Sequence, residues 1–139
     1  MARLEFVVVC NAINSVPGER GEMTPNLVAP QIALRPRFVP GNFSFALSVG
    51  ISGVDLQKEN RMRFTITTPE GRLLQDSGET ELPKIPIKDT MPAEYQGFVI
   101  NMDIRNLVIE NEGAYSFALY INGECVGTHT IPIFKQVIQ

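Results

Sequence analysis

The side chains that could act as nucleophiles or bases are few and scattered in this sequence. His129 is the single histidine, and Cys10 and Cys125 are the two cysteines. A nucleophile needs an adjacent base and a third group that orients the base, and neither cysteine stands in a known Cys-His signature. With a two-residue turn before it, His129 would lie opposite Ser116 across a hairpin, but an ordinary strand histidine beside a serine is the better interpretation. We therefore expect no catalytic residues and predict that the protein is not an enzyme.

The carboxylates show no spacing that is typical of a metal site. The four aspartates fall in different segments, at Asp55, Asp76, Asp89 and Asp103. A calcium site in a β-sandwich needs several carboxylates clustered on one set of loops. The one local cluster adds Glu79 and Glu81 to Asp76, and we interpret it as a solvated loop. Because the cysteines also lack metal-ligand spacing, we expect no metal and no other cofactor.

Residues suited to binding sugars, nucleotides or nucleic acid are equally few. The chain has no Trp, and most of its eight Phe fall on inward-facing alternations. Of the remaining aromatics, Tyr95 and Tyr120 are the candidates for stacking, and we expect Tyr120 to lie half-exposed against a neighbouring strand. No glycine-rich phosphate loop occurs. The net charge is −3 and the basic residues are scattered, so we expect no nucleic-acid partner.

The cysteines and the N-terminus indicate a compartment. Cys10 and Cys125 stand inside apolar strand patterns, where a free Cys behaves as a small hydrophobe, so we predict two buried, reduced thiols rather than a disulfide. The opening MARLEFVVVCNAINS imitates a signal peptide, but its apolar run is short and no A-x-A pattern follows. No run approaches the length of a membrane-spanning helix. We expect a cytoplasmic protein without a membrane partner.

Strand-like alternation runs through most of the chain. It is clearest from Gly113 to Ile133, where Asn122-Gly123 predicts a type I′ turn between two strands. Further strands are predicted at 4–14, 31–39, 43–51, 62–67, 72–77 and 98–105. Two irregular regions rich in proline, 15–30 and 79–96, connect strands, and a short helical turn is expected near the end of the second. Ten prolines and eleven glycines leave no window for a long helix.

These elements predict the fold class. About eight short strands with closely spaced turn signals are typical of an all-β, antiparallel two-sheet sandwich with Greek-key connections. A length of 139 residues corresponds to a single domain, 1–139. The side chains that we expect to be nearly fully buried are Phe45, Leu47, Phe64, Ile66, Ile100, Phe117 and Leu119.

The returning strand of the last hairpin needs one extra residue. If every residue paired one to one, Ile131 and Ile133 would point to solvent while Thr128 would face the core. Burial of each large apolar side chain is worth about 1.5–3 kcal/mol, so that arrangement is unfavourable. We therefore predict a β-bulge at Gly127, after which both isoleucines and His129 turn inward.

The closing hairpin resembles the last hairpin of immunoglobulin-like sandwiches. The matching residues are Gly113, Tyr115, Phe117, Leu119 and Asn122-Gly123. Tyr115 takes the place of the tyrosine corner, although Phe117 stands where antibody domains have a cysteine. Together with the opening VVVCNAI and the corner TTPEGRLL, the chain resembles a family of small, uncharacterised bacterial β-sandwich proteins. The resemblance implies the fold and no activity.

Function is therefore expected at surfaces rather than at a reactive centre. We expect a non-enzymatic interaction or assembly module that pairs with a protein partner, or with its own copies, through an open sheet edge. The alternative is a small-ligand or carbohydrate-binding module that uses the loops 15–30 and 79–96.

Overall fold

The computed structural model describes residues 2–85 and 90–137, and most of these residues lie in strands. The strands are β1 (Arg3–Cys10), β2 (Ala12–Pro17), β3 (Met23–Val28), β4 (Gly41–Ser52), β5 (Arg61–Thr67), β6 (Leu73–Asp76), β7 (Thr80–Glu81), β8 (Gly97–Ile109), β9 (Gly113–Ile121) and β10 (Glu124–Ile133). A 3₁₀ turn at Ala93–Tyr95 confirms the helical turn expected before β8. The predicted strands at 43–51, 62–67, 72–77 and 98–105 are confirmed as β4, β5, β6 and β8.

Two antiparallel sheets form the sandwich, in the orders β1-β4-β8 and β10-β9-β5-β6, with the short β7 also paired to β5. The chain crosses between these sheets from β4 to β5, from β7 to β8 and from β8 to β9. In this arrangement β1, β4 and β8 take the places of strands A, B and E of an immunoglobulin domain, and β5, β9 and β10 take those of C, F and G. The fold is an all-β, immunoglobulin-like sandwich, as the strand pattern predicts.

The core lies between the inner faces of the two sheets. Six of the seven residues predicted for it are buried: Phe45, Leu47, Phe64, Ile66, Phe117 and Leu119. The rings of Phe64 and Phe117 stack across β5 and β9 with centroids 5.7 Å apart. The prediction is wrong for Ile100, which is only half-buried. Ile100 lies on β8, at the edge of its sheet, and within the described residues no strand lies beyond β8 to cover it.

Tyr115 forms the tyrosine corner that its position predicts. Its side chain is buried, and its hydroxyl donates a hydrogen bond of 2.7 Å to the carbonyl oxygen of Asn111, four residues upstream. Burial is the main cause of the raised pKa of this phenol. The bond fixes the corner between β8 and β9 to the start of the central strand of the second sheet.

The β-bulge predicted in β10 is confirmed, although the extra residue is Val126 rather than Gly127. Ile121 pairs with Glu124 across the Asn122-Gly123 turn, whereas the register shifts between Cys125 and Gly127, so that Val126 is the extra residue. Ile131 and Ile133 are consequently buried, each at 1% exposure. Glycine is needed at position 127 for a reason of space: a Cβ there would lie 2.6 Å from the Cβ of Leu4.

The first predicted strand, 4–14, divides into two elements. β1 ends at Cys10, and β2 leaves the sandwich to pair with β3 in a separate two-stranded sheet. The region 15–30 is therefore mostly a hairpin rather than a loop, and this prediction was wrong. Proline is excluded from a central strand because it cannot donate a hydrogen bond to a neighbour. In a two-stranded ribbon each strand has one unpaired edge, so Pro17 and Pro25 can occupy positions that lose no ladder hydrogen bond.

The predicted strand at 31–39 is also wrong, because only isolated bridges form there. Gln31 bridges to Val9 of β1, and Leu34 bridges in parallel to Ile133 of β10. The segment thus crosses from one sheet edge to the other, and prolines at positions 30, 36 and 40 prevent a continuous ladder. Leu34 is fully buried where the two edges approach each other.

Candidate functional site

His129 and Ser116 do not face each other. The bulge shifts the register so that His129 pairs with Phe117 and Thr130 pairs with Ser116. The predicted opposition was wrong because it assumed one-to-one pairing through Val126. His129 is half-buried and lines a shallow, mainly apolar groove with Val7 of β1. The arrangement provides no oriented nucleophile and base.

The two thiols lie in different environments, and both are free. Cys10 is buried, with its Sγ 3.6 Å from the carbonyl oxygen of Ala46, and burial raises the pKa of this thiol. Cys125 is exposed, so the prediction of a buried thiol is wrong for this residue. Cys125 precedes the bulge and pairs with Tyr120, which places it on the outer face of the second sheet.

Arg63 pairs with Asp76, one of the three acids that lie close together in the sequence near position 76. Its guanidinium donates two hydrogen bonds, of 2.9 and 2.7 Å, to the carboxylate of Asp76 and lies 5.0 Å from the centre of the Tyr120 ring. The pKa of Asp76 falls to about 2, chiefly because of this hydrogen bonding. Tyr120 therefore packs on a neighbouring strand, as expected, and one face of its ring is occupied by Arg63.

The other acids are dispersed, as the sequence predicts. Glu79 pairs with Arg61 at 3.5 Å, Asp55 with Lys58 at 3.9 Å, and Asp103 with Arg105 at 3.6 Å. Glu81 is exposed on β7. Asp89 lies outside the described residues. Within residues 2–85 and 90–137 no group of three or more His, Cys, Asp or Glu side chains could hold a metal ion.

The most prominent candidate for an interaction surface is the outer edge of β8. This strand, 13 residues long, pairs with β4 along its length, and no other strand in the described ranges pairs with its opposite edge. In a constant-type immunoglobulin domain strand D occupies that place. An open edge carries a row of unpaired backbone N–H and C=O groups, which is a template for another strand.

The two halves of β8 differ in how well they could accept a strand. In the second half Arg105 and Asn106 lie together opposite Ser44, forming a bulge in which Asn106 has φ of 54°. The backbone N–H of Asn106 donates to the Ser44 hydroxyl at 2.9 Å. Charges and bulges are the devices that protect sheet edges from pairing. The first half, 97–102, has neither a bulge nor a charged side chain.

An exposed apolar patch adjoins this unprotected half. Phe6 of β1 and Val99 of β8 both pair with Gly50 of β4, so the three residues form one row across the outer face of the sheet. Together with Met91 and Tyr95 these side chains line an open groove of about 290 Å³. The four large apolar side chains are between 42% and 59% exposed. We call Phe6, Met91, Tyr95 and Val99 the β8 patch.

Sequence reasoning did not find this patch, although one signal was present. Gly50 occupies an outward position in the alternation of β4, and an added Cβ there would overlap the Phe6 ring. A glycine in the middle of a long strand often marks a close approach of another group, which here is an aromatic ring. The pairing of Phe6 with Gly50 requires knowledge of the register, which the sequence alone does not supply.

The two regions proposed for ligand binding leave the first sheet at different levels along β4. Region 79–96 leads into β8 at Gly97, which pairs with Ser52 at the end of β4. The hairpin β2–β3 follows Cys10, which pairs with Ala46 nearer the start of β4. In the described residues, the groove that includes Pro30 is separate from the groove that includes Met91 and Tyr95. In the described part of the chain, no helix has the length and apolar character needed to cross a membrane.

Comparison with known proteins assigns neither a family nor an activity. No protein-family model and no curated protein matches the sequence. A solved structure of an immunoglobulin-like protein from Pseudomonas aeruginosa is similar over 96% of each chain, with a TM-score of 0.44 and 11% sequence identity.

Proposed function

We propose that the protein is a non-enzymatic interaction module that binds an extended segment of a partner protein along the first half of β8. The observation that carries this proposal is the open edge at 97–102, which lacks the charges and the bulge present in the second half of the strand. An added strand would gain backbone hydrogen bonds from the edge and specificity from pockets for alternate side chains.

The β8 patch supplies such a pocket beside the edge. Val99 is 56% exposed and Tyr95 is 59% exposed, and both line the groove. The ring of Phe6 lies over Gly50 and forms the base of this groove. A strand laid along β8 would place every second side chain on this face of the sheet. The segment that fits best is therefore uncharged, with apolar residues at alternate positions.

A library of extended peptides displayed on phage and panned against the purified protein tests the proposal. We expect the enriched peptides to show apolar alternation and to compete with one another. Val99→Lys should weaken their binding about tenfold or more, because a lysine beside the edge opposes strand addition. Val108→Lys is the matched control, since Val108 is an exposed valine of the same strand beyond the bulge.

Two results would contradict the proposal. One is a set of binders whose affinity is the same for wild type and Val99→Lys. The other is equal weakening by Val99→Lys and Val108→Lys, which would indicate a general charge effect rather than docking at 97–102.

A small-ligand or carbohydrate function is the second candidate, and Tyr95 is the observation that favours it. Its ring is exposed at the groove of the β8 patch, where a sugar could stack. Binding of soluble oligosaccharides that Tyr95→Ala abolishes would support this candidate. Because the groove is lined by residues of region 79–96, β1, β4 and β8, it does not require the hairpin β2–β3.

A further inference from the structure

The hairpin β2–β3, which we call the arm, is amphipathic and its apolar face is uncovered. In its register Pro17 pairs with Met23, Ser15 with Pro25, and Ile13 with Leu27. Paired residues share a face, and alternate pairs point the same way. One face is therefore mostly apolar. Ile13 and Leu27 at the root are half-buried, whereas all residues of the outer part, 14–17 and 23–26, are exposed.

A two-stranded ribbon with an exposed apolar face is unusual unless another surface covers that face. The exposed part extends four residues on each side, or about 13 Å at ~3.3 Å per residue. An isolated two-stranded hairpin is at best marginally stable in water. Met23 is 61% exposed, and the turn that follows β2 carries two exposed acids, Glu19 and Glu22, and one exposed base, Arg20, so that its net charge is negative. The arm thus presents an apolar face next to negative charge.

A complementary surface lies next to the start of β4, which is the direction in which β1 runs before it enters the arm. An open groove of about 610 Å³ runs between the segment before β4 and the segment after β10. Phe38 and Val137, which line it, are 75% and 71% exposed. The backbone N–H of Gln136 donates to the carbonyl oxygen of Pro36 at 2.8 Å, which joins the two walls. We call this surface the basal groove.

The basal groove carries unpaired positive charge. Arg37 and Lys135 line it, and Arg35 donates hydrogen bonds to the carbonyl oxygens of Phe134 and Lys135 rather than to an acid. One carboxylate touches this region, because Glu112 accepts a hydrogen bond from the backbone N–H of Lys135. Within the described chain none of these three cations forms an ion pair with a carboxylate. The cations that do are Arg3, Lys58, Arg61, Arg63, Arg72 and Arg105.

We infer that the basal groove is the docking site for the arm of a second copy of this chain. Both surfaces expose large apolar side chains, and their charges are opposite. Direct contact between two grooves would bring like charges together, which opposes association. Because β1 runs towards the groove side of the sandwich before it enters the arm, a two-fold axis allows each arm to contact the other copy's groove. This contact is separate from the β8 edge.

Sedimentation equilibrium of the purified protein tests the inference. We expect a monomer–dimer equilibrium that weakens as salt is added, because exposed charge pairs are screened. Met23→Ser and Phe38→Ser should each raise the dimer dissociation constant about tenfold or more, since each removes apolar contact at the interface. Leu73→Ser is the matched control, because Leu73 is 54% exposed on β6 and should leave the constant unchanged.

Charge reversal identifies the pairing. Glu19→Arg and Arg37→Glu should each weaken the dimer, and the double variant should recover most of the loss because opposite charges again face each other. A wild-type monomer at all accessible concentrations would overturn the inference. So would a dimer insensitive to Met23→Ser and Phe38→Ser, or one lost only with Val99→Lys, which would locate self-association at β8. Failure of the double variant to recover would overturn the contact between arm and groove.

Discussion

Deletion of Val126 would remove the extra residue that sets the phase of the last strand. With one-to-one pairing after the Asn122-Gly123 turn, Ile131 and Ile133 would point away from the core. Each is 1% exposed in the structure, and burial of a large apolar side chain is worth about 1.5–3 kcal/mol. The two together predict a loss of about 3–6 kcal/mol in the free energy of unfolding, which is a large part of the ~5–15 kcal/mol typical of a domain.

Urea unfolding followed by circular dichroism measures this loss from the midpoint and slope of the transition. Val126→Ala is the control, because it keeps the residue count and removes only part of a half-buried side chain, at a cost of about 1 kcal/mol. If the deletion costs no more than Val126→Ala, the bulge does not set the phase of β10, and the reasoning from parity is refuted.

Three further outcomes are expected. Phe117→Ala should lower the free energy of unfolding by about 3–5 kcal/mol in urea melts, because the ring is fully buried; a change below about 1 kcal/mol would contradict its place in the core. A thiol reagent should label Cys125 rapidly and Cys10 only on unfolding, since Cys125 is exposed and Cys10 is buried with a raised pKa; mass spectrometry reads out the site, and equal rates would contradict the two environments. The Asp76 pKa is lowered from 3.8 to about 2, so its pair with Arg63 stabilises the fold above pH 4 and this stabilisation is lost as the pH falls towards 2. Thermal melts across this range should show a smaller pH dependence for Asp76→Asn than for wild type, and identical profiles would contradict the assignment.

Local patterns in the sequence predict the individual strands and the last hairpin, because alternation and turn residues act between neighbours along the chain. Alternation in 113–121 fixes which face is buried, and Asn122-Gly123 fixes the turn. The parity of Ile131 against Thr128 then requires the bulge. Tyr115 forms its hydrogen bond within four residues, so its corner is also a local feature.

The errors arise where register between distant segments decides the outcome. Cys125 is the exception: its pairing with Tyr120 follows from the Asn122-Gly123 turn and already places it on the outer face, so its exposure was within reach of the local pattern. Ile100 alternates correctly, yet its exposure depends on whether another strand lies beyond β8. The arm was missed because prolines 17 and 25 forbid a central strand but not a two-stranded ribbon.

The candidate surfaces could not be predicted for the same reason. The β8 patch joins Phe6 to Tyr95 and Val99, which lie far from Phe6 in sequence and come close to it only through the pairing of β1 and β8 with β4. The basal groove similarly brings Arg37 close to Val137, because Leu34 forms a bridge to Ile133 at the edge of β10. Composition alone does not show which apolar residues are exposed, because exposure depends on the face that each residue occupies in the folded sheet.

Amide hydrogen exchange along β8, measured by NMR in the free protein and with a peptide selected for binding, tests the central proposal most directly. In an edge strand alternate amides point to the neighbour strand and the others point outward. We predict that the outward amides of 97–102 exchange rapidly in the free protein and become protected on binding, whereas 105–109 change little. Outward amides that are already protected in the free protein, or that stay unprotected in the complex, would contradict docking at this edge.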